Sequence, residues 1–184
     1  MSRRLEDFIT INNISDLAFR QDLLTIAENE PTKKHSYSNN LTNKITSYAD
    51  DFEIAYPQNI NIKKLDEIIR ECINEYATSC NAMPFNIKEM SPIRFNKYKV
   101  GTNMKPHCDH IHTLFDGERK GIPILTVLGL LNDDFEGGDF LMFDGKKLNL
   151  SAGDIVIFPS NFMYPHSVTT VTKGTRYSFV CWAW

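Results

Sequence analysis

Gly153-Asp154-Ile155-Val156-Ile157-Phe158 decides the fold: a turn dipeptide runs directly into four consecutive apolar, β-forming residues. Runs of the same texture occur at Ile93–Val100, Ile122–Leu131, Phe140–Phe143 and Arg176–Trp184, set off by Gly, Pro, Asn and Asp. Many short strands with turn signals between them predict an antiparallel sandwich or jelly roll. Glu136-Gly137-Gly138-Asp139 and Gly153-Asp154 read as turns into the strands that follow them, and support the fold and not the chemistry.

Upstream of about residue 90 the texture changes. Ile14, Leu17, Leu24 and Ala27 recur at roughly helical spacing, with Ser15 as the expected N-cap, and Leu65, Ile69, Cys72 and Tyr76 repeat at steps of four, three and four. Two amphipathic helices are predicted, packed on one outer face of the sandwich. Residues 31–50 are polar and rich in Asn, Ser and Thr, which predicts a loop with one irregular strand. The expected class is α+β, mainly β, in one domain over 1–184: a helical support region at 1–90 and a jelly-roll core at 91–184.

At 184 residues, one domain with a real core is the default. A hydrophobic fraction of 42% with only 9 Gly and 8 Pro excludes collagen-like and disordered classes. The net charge of −3 and scattered basic residues give no footprint of a nucleic-acid binder. Arg3 and Arg4 are not followed by an apolar run, and no stretch is apolar enough to span a membrane, so a cytoplasmic protein is expected. Cys72, Cys80, Cys108 and Cys181 show no C-x-x-C pair and are expected to be reduced thiols.

The chemistry is carried by Pro106-His107-Cys108-Asp109-His110. On an extended strand, residues two apart share a face, so His107 and Asp109 can grip one ion while Cys108 turns away. A second histidine, His166, follows the apolar run at 155–158, and Arg176 lies ten positions further on. Two histidines and one carboxylate on one face of Fe(II) leave adjacent positions open for a 2-oxo acid and dioxygen. A guanidinium in an apolar strand needs a carboxylate partner and suits one bidentately.

From Arg94 to Trp184 the chain resembles the prolyl 4-hydroxylase-like branch of the 2-oxoglutarate and Fe(II)-dependent oxygenases. The resemblance rests on Tyr98-x-x-Gly101, His107-x-Asp109, Leu130-Leu131-Asn132, Glu136-Gly137-Gly138, Gly153-Asp154, His166 and Gly174-Thr175-Arg176. It implies a double-stranded β-helix with iron held by His107, Asp109 and His166, and 2-oxoglutarate held by Arg176. It further implies that Tyr98 reaches the cosubstrate and that Thr126 lies near it. Fe(II), 2-oxoglutarate and O2 are the implied cofactors, with ascorbate as a candidate accessory reductant. Arg176 stands where collagen-type enzymes commonly place lysine. Met104 stands where peptidyl-proline enzymes tend to have a second tyrosine, and Trp182 matches an aromatic position lining the substrate groove.

The implied reaction is hydroxylation of a C–H bond, with succinate and CO2 as coproducts, on a peptidyl residue. A free amino acid or other small molecule is the alternative substrate, and a non-catalytic jelly-roll binding protein the alternative class. Nucleic-acid dealkylation is disfavoured because position 182 is Trp, where those relatives tend to carry a second arginine. Each residue also has a structural reading: His107 and His166 as core histidines, Asp109 as a turn residue, Tyr98 and Trp182 as core aromatics. Cys108, His110 and His112 share a strand face and form an alternative zinc set. Residues 113–121, polar and bounded by glycines, read equally as a mobile lid or a plain surface loop.

Overall fold

The four-residue run at 155–158 is continuously apolar because its strand is buried on both faces. In the computed structural model, which describes residues 2–39, 44–80, 87–109 and 121–184, the elements in chain order are β1 (Thr10–Asn13), α1 (Leu17–Asn29), β2 (Lys33–Lys34), β3 (Tyr37–Asn39), β4 (Lys44–Thr46), β5 (Glu53–Ala55), α2 (Ile60–Ser79), β6 (Arg94–Tyr98), β7 (Met104–His107), β8 (Leu125–Leu130), β9 (Glu136–Gly137), β10 (Phe140–Met142), β11 (Lys146–Lys147), β12 (Asp154–Pro159), β13 (His166–Val168), β14 (Val171–Lys173) and β15 (Arg176–Ala183). Among these residues, a large sheet runs β1-β12-β8-β15-β6-β5-β2 and a smaller one β11-β10-β13-β7. Successive side chains alternate between faces. Ile155 and Ile157 therefore enter one core with Val127, Phe179 and Cys181, beneath Phe19 and Leu23 of α1 and Leu65 and Ile69 of α2. Val156 and Phe158 enter a second core, shared with Tyr98, Leu128, Phe140, Met142 and Val168, between the two sheets. Phe158 and Phe179 are both fully buried, a contribution of roughly 1.5–3 kcal/mol each.

The expected jelly roll with helices on one outer face is the architecture that forms. α2 buries Leu65, Ile69, Cys72 and Tyr76, as their spacing predicts, and is capped by Asn59, whose side chain accepts from the Ile62 N–H. α1 differs in register. Its N-cap is Asp16, not Ser15, and it buries Phe19, Leu23 and Ala27, while Leu17 is 69% exposed. The face is set by the sheet beneath it, and Leu17 in the first turn lies on the solvent side.

The support region also supplies strands. β1 pairs with β12, and β5 with β6, so the large sheet is completed at both edges by residues from before position 90. Where one irregular strand was expected in 31–50, three short ones occur: β2, β3 and β4. Polar edge strands make their pairings without an apolar run, so their composition hides them. Gly129 lets the sheet and the helix-side core interlock, since a Cβ there would lie 2.1 Å from the Phe179 ring.

Candidate metal centre

β7 and β13 are antiparallel neighbours in the smaller sheet, and their register places His107 opposite His166. The ring centroids are 4.3 Å apart. Each Nδ1 faces a main-chain carbonyl two residues upstream, that of Lys105 at 2.9 Å for His107 and that of Tyr164 at 3.1 Å for His166. A ring nitrogen facing a carbonyl must carry the proton, which leaves both Nε2 lone pairs bare. Both point at Asp109, just beyond the end of β7: His107 Nε2 is 3.5 Å from Oδ1 and His166 Nε2 is 3.6 Å from Oδ2.

These separations are too long for good hydrogen bonds. Donors each about 2.1 Å from a shared ion and at right angles to one another would be about 3 Å apart, so the cluster is close to the size of a coordination face. His107, Asp109 and His166 are the group that could hold a metal ion among the described residues. Two neutral imidazoles and a carboxylate suit non-haem Fe(II). Burial alone would raise the Asp109 carboxyl, but the positive charge that His166 and His107 carry when protonated, with the hydrogen bond from Thr126, outweighs that and holds it well below its ordinary value. Burial pushes the His166 imidazole down, against the pull of Asp109, which favours the neutral ligand form.

The carboxylate is oriented by Thr126. Its hydroxyl donates to Asp109 Oδ2 at 2.8 Å, so it must accept from Ser160 Oγ, 2.6 Å away. Both hydroxyl residues are buried. Thr126, expected beside the cosubstrate, thus has its hydrogen bonds with Asp109 and Ser160. Ser160 was not singled out in the sequence, where a lone serine after a strand carries no signal. Phe140 and Phe158 flank the His166 ring at 5.5 and 5.1 Å and close the inner side to water.

Arg176 begins β15 on the face shared by Ser178, Val180 and Trp182, and is 1% exposed. One guanidinium nitrogen donates to Ser178 Oγ at 2.8 Å, and Nε has no partner among the described residues. None of the ion pairs among those residues includes it. Burial presses its pKa down, yet an arginine keeps its charge in proteins. A buried, unpaired guanidinium is costly unless an anion completes it, so this position fits the far carboxylate of 2-oxoglutarate. Tyr98 is its Cα partner on β6, with the guanidinium carbon 5.2 Å from the ring centroid. Burial pushes the Tyr98 hydroxyl up to about 12. The Gly138 turn is required here: φ is +62°, and a Cβ would come within 3.0 Å of Arg176 Cδ.

Met104 is buried on β7 in the inter-sheet core. Trp182 is partly exposed on β15, directly opposite Thr126 on β8. The structure thus brings Trp182 beside the residue that orients Asp109. Cys108 turns away from the triad, its thiol 3.5 Å from the Phe162 carbonyl. His110, His112 and positions 113–120 of the expected lid lie outside the described residues, and with them the alternative zinc set. Among the described residues, no helix is long and apolar enough to cross a membrane.

The sequence model of the 2OG-Fe(II) oxygenase superfamily matches residues 93–184. A PKHD-type hydroxylase of Methylobacterium nodulans is 28% identical over 127 residues, 66% of this chain and 54% of the relative. The chain spans about half the length of the curated relatives it matches. A solved prolyl hydroxylase from Trichoplax adhaerens, in complex with a hypoxia inducible factor oxygen degradation domain peptide fragment, has a TM-score of 0.72 at 17% identity, covering 97% of this chain and 84% of that one. A Pseudomonas putida prolyl-4-hydroxylase has a TM-score of 0.68 at 16% identity, covering 95% and 91%. At these identities the likeness is one of fold.

Proposed function

Because the chain belongs to the 2OG-Fe(II) oxygenase superfamily, we propose that it is a 2-oxoglutarate-dependent hydroxylase acting, as one domain, on a C–H bond of a peptidyl residue. The observation that carries this reading is the pairing of a converged two-histidine, one-carboxylate cluster with a buried arginine that lacks a carboxylate of its own. Fe(II), when bound with 2-oxoglutarate and O2, supplies the oxidation: the 2-oxo acid loses CO2 and becomes succinate, and one oxygen atom enters the substrate C–H bond.

The chain's own residues contribute placement. His107, His166 and Asp109 are the ligand set, with both imidazoles fixed in one tautomer by main-chain carbonyls. Thr126 and Ser160 hold the carboxylate's orientation. Arg176 binds the far carboxylate of 2-oxoglutarate, and Tyr98 packs against that arginine. Trp182 and Met104 border the substrate. No acid–base residue is required of the protein. The names of the similar proteins, prolyl hydroxylase and PKHD-type hydroxylase, support a peptidyl target. A cytoplasmic setting with free thiols belongs to the same reading, as does ascorbate as an accessory reductant.

The test is a titration of anaerobically purified protein with 2-oxoglutarate, with and without Fe(II), followed by succinate release on admitting O2. Metal-dependent binding, competition by N-oxalylglycine and Fe(II)-dependent succinate are expected. Binding of neither 2-oxoglutarate nor N-oxalylglycine to the Fe(II)-loaded protein would leave a non-catalytic jelly roll.

A further inference from the structure

β6 alternates as β12 does: Phe95 enters the helix-side core, whereas Tyr98 enters the space between the sheets, and Arg94 shares the face of Tyr98. Arg94 stands four residues before Tyr98, about 13 Å away along the strand, opposite Val180 where Tyr98 is opposite Arg176. Arg94 and Arg176 therefore start from opposite ends of the β6–β15 pair. The two arginines differ in exposure. Arg176 is sealed, while Arg94 and Trp182 are both partly exposed, so a molecule arriving from solvent meets Arg94 and Trp182 and not Arg176.

The Arg94 guanidinium lies beside two rings, its central carbon 5.1 Å from the Trp182 centroid and 5.8 Å from that of Phe52. Nε donates to Asn96 Oδ1 at 2.9 Å. The four N–H bonds of its two terminal nitrogens have no acceptor among the described residues, and none of the ion pairs there includes Arg94. Trp182 adds a second donor, since its buried Nε1 has no hydrogen-bond partner among the described residues. Through its Cα partner Thr126, Trp182 stands next to the group that orients Asp109. Donors without acceptors therefore lie on the same face of β6 and β15, on the side of Thr126.

Resting on the oxygenase reading, we propose that Arg94 is a specificity-determining residue, which binds a carboxylate of the substrate and so selects substrates that carry one near the hydroxylated carbon. A planar fork, held by Asn96 and by the two rings beside it, is preorganised for bidentate carboxylate recognition. Three sources present that chemistry: the α-carboxylate of a free amino acid, the C-terminus of a peptide, and an Asp or Glu side chain beside the target.

The experiment uses the full chain loaded with Fe(II) and 2-oxoglutarate. Hydroxylation is read as a gain of one oxygen by mass, over a panel of free amino acids, their amides, and Pro-containing peptides with Glu or Gln flanks and free or amidated C-termini. Turnover should be confined to carboxylate-bearing members, and which of them react identifies the source. Arg94→Gln should raise KM for those members about tenfold or more, with kcat changed much less, and Arg94→Lys should fall between. The 2-oxoglutarate affinity of each variant, measured in parallel, reports an intact cosubstrate site. Equal turnover of the neutral members, no turnover of any carboxylate-bearing member, or an unchanged KM in Arg94→Gln overturns the assignment. Loss of metal-dependent 2-oxoglutarate binding by the unmodified chain would instead sink the oxygenase reading itself.

Discussion

His107 and His166 are Cα partners across the β7–β13 pair, and the Nδ1 of each faces the main-chain carbonyl two residues upstream, so their two Nε2 atoms converge on Asp109, just past the end of β7. A site built on a sheet ladder is held in place before a metal arrives. His107→Ala and Asp109→Ala should therefore abolish Fe(II) binding while moving the apo-protein melting temperature little, because neither substitution removes much core. Metal analysis and calorimetry of the same samples check this. Retained stoichiometric iron in both variants would refute the triad.

Thr126→Val keeps shape and removes the donor to Asp109. It also strands the buried Ser160 hydroxyl, a cost of about 1–3 kcal/mol in stability. Fe(II) affinity should fall about 10–100-fold, the usual consequence of losing a hydrogen bond that orients a ligand. Competition against a chelator of known affinity measures it, and an unchanged value would show that Thr126 serves the cosubstrate alone.

Arg176→Met should act with opposite signs on two readouts. Cosubstrate binding should lose on the order of 2–5 kcal/mol, since the far carboxylate of 2-oxoglutarate loses its partner. The apo chain should be no less stable, and even more so, because an unpaired buried guanidinium is replaced by an apolar side chain. Arg176→Lys keeps the charge without the fork and should fall between in affinity. Wild-type affinity in Arg176→Met would assign the carboxylate to another residue.

Gly138→Ala places a Cβ at positive φ, 3.0 Å from Arg176 Cδ and 3.1 Å from Phe135 and Val171 side-chain atoms. A stability loss of about 1–2 kcal/mol is expected from the backbone alone. The displaced Arg176 should also weaken 2-oxoglutarate binding in the Fe(II)-loaded protein. Denaturant unfolding and the anaerobic titration report the two effects separately.

His35, stacked on Phe52 at 4.6 Å, is held neutral in the fold, its pKa lowered to about 4 by burial, Arg94 and His107 against the opposing pull of Asp51. The unfolded chain takes up that proton near pH 6.5 and the folded chain only near pH 4. Stability should therefore fall as pH drops from about 6.5 towards about 4. His35→Gln cannot titrate and should lose that part of the slope. Denaturant midpoints at pH 7 and pH 5 for both chains decide it, and equal slopes would place His35 in a solvated setting.

By itself the sequence singled out His107, Asp109, His166 and Arg176 as the candidate site, and the strands that carry or flank them, because these are written in local spacing and motif. A two-residue step put His107 and Asp109 on one side, an apolar run marked a strand buried on both faces, and an arginine inside such a run announced a buried charge. Only the tertiary structure decided that α1 turns Phe19 and Leu23 fully into the core, with Leu24 at its margin and Leu17 in solvent, and that β1 and β5 from the first half complete the sheet. It alone showed Thr126 and Ser160 behind Asp109, and Arg94 beside Trp182 and Phe52. These partners lie 17 to 88 positions apart in the chain. Ladder pairing and the packing of two sheets set which hydroxyl, ring or guanidinium meets which, and neither leaves a periodic trace along the sequence.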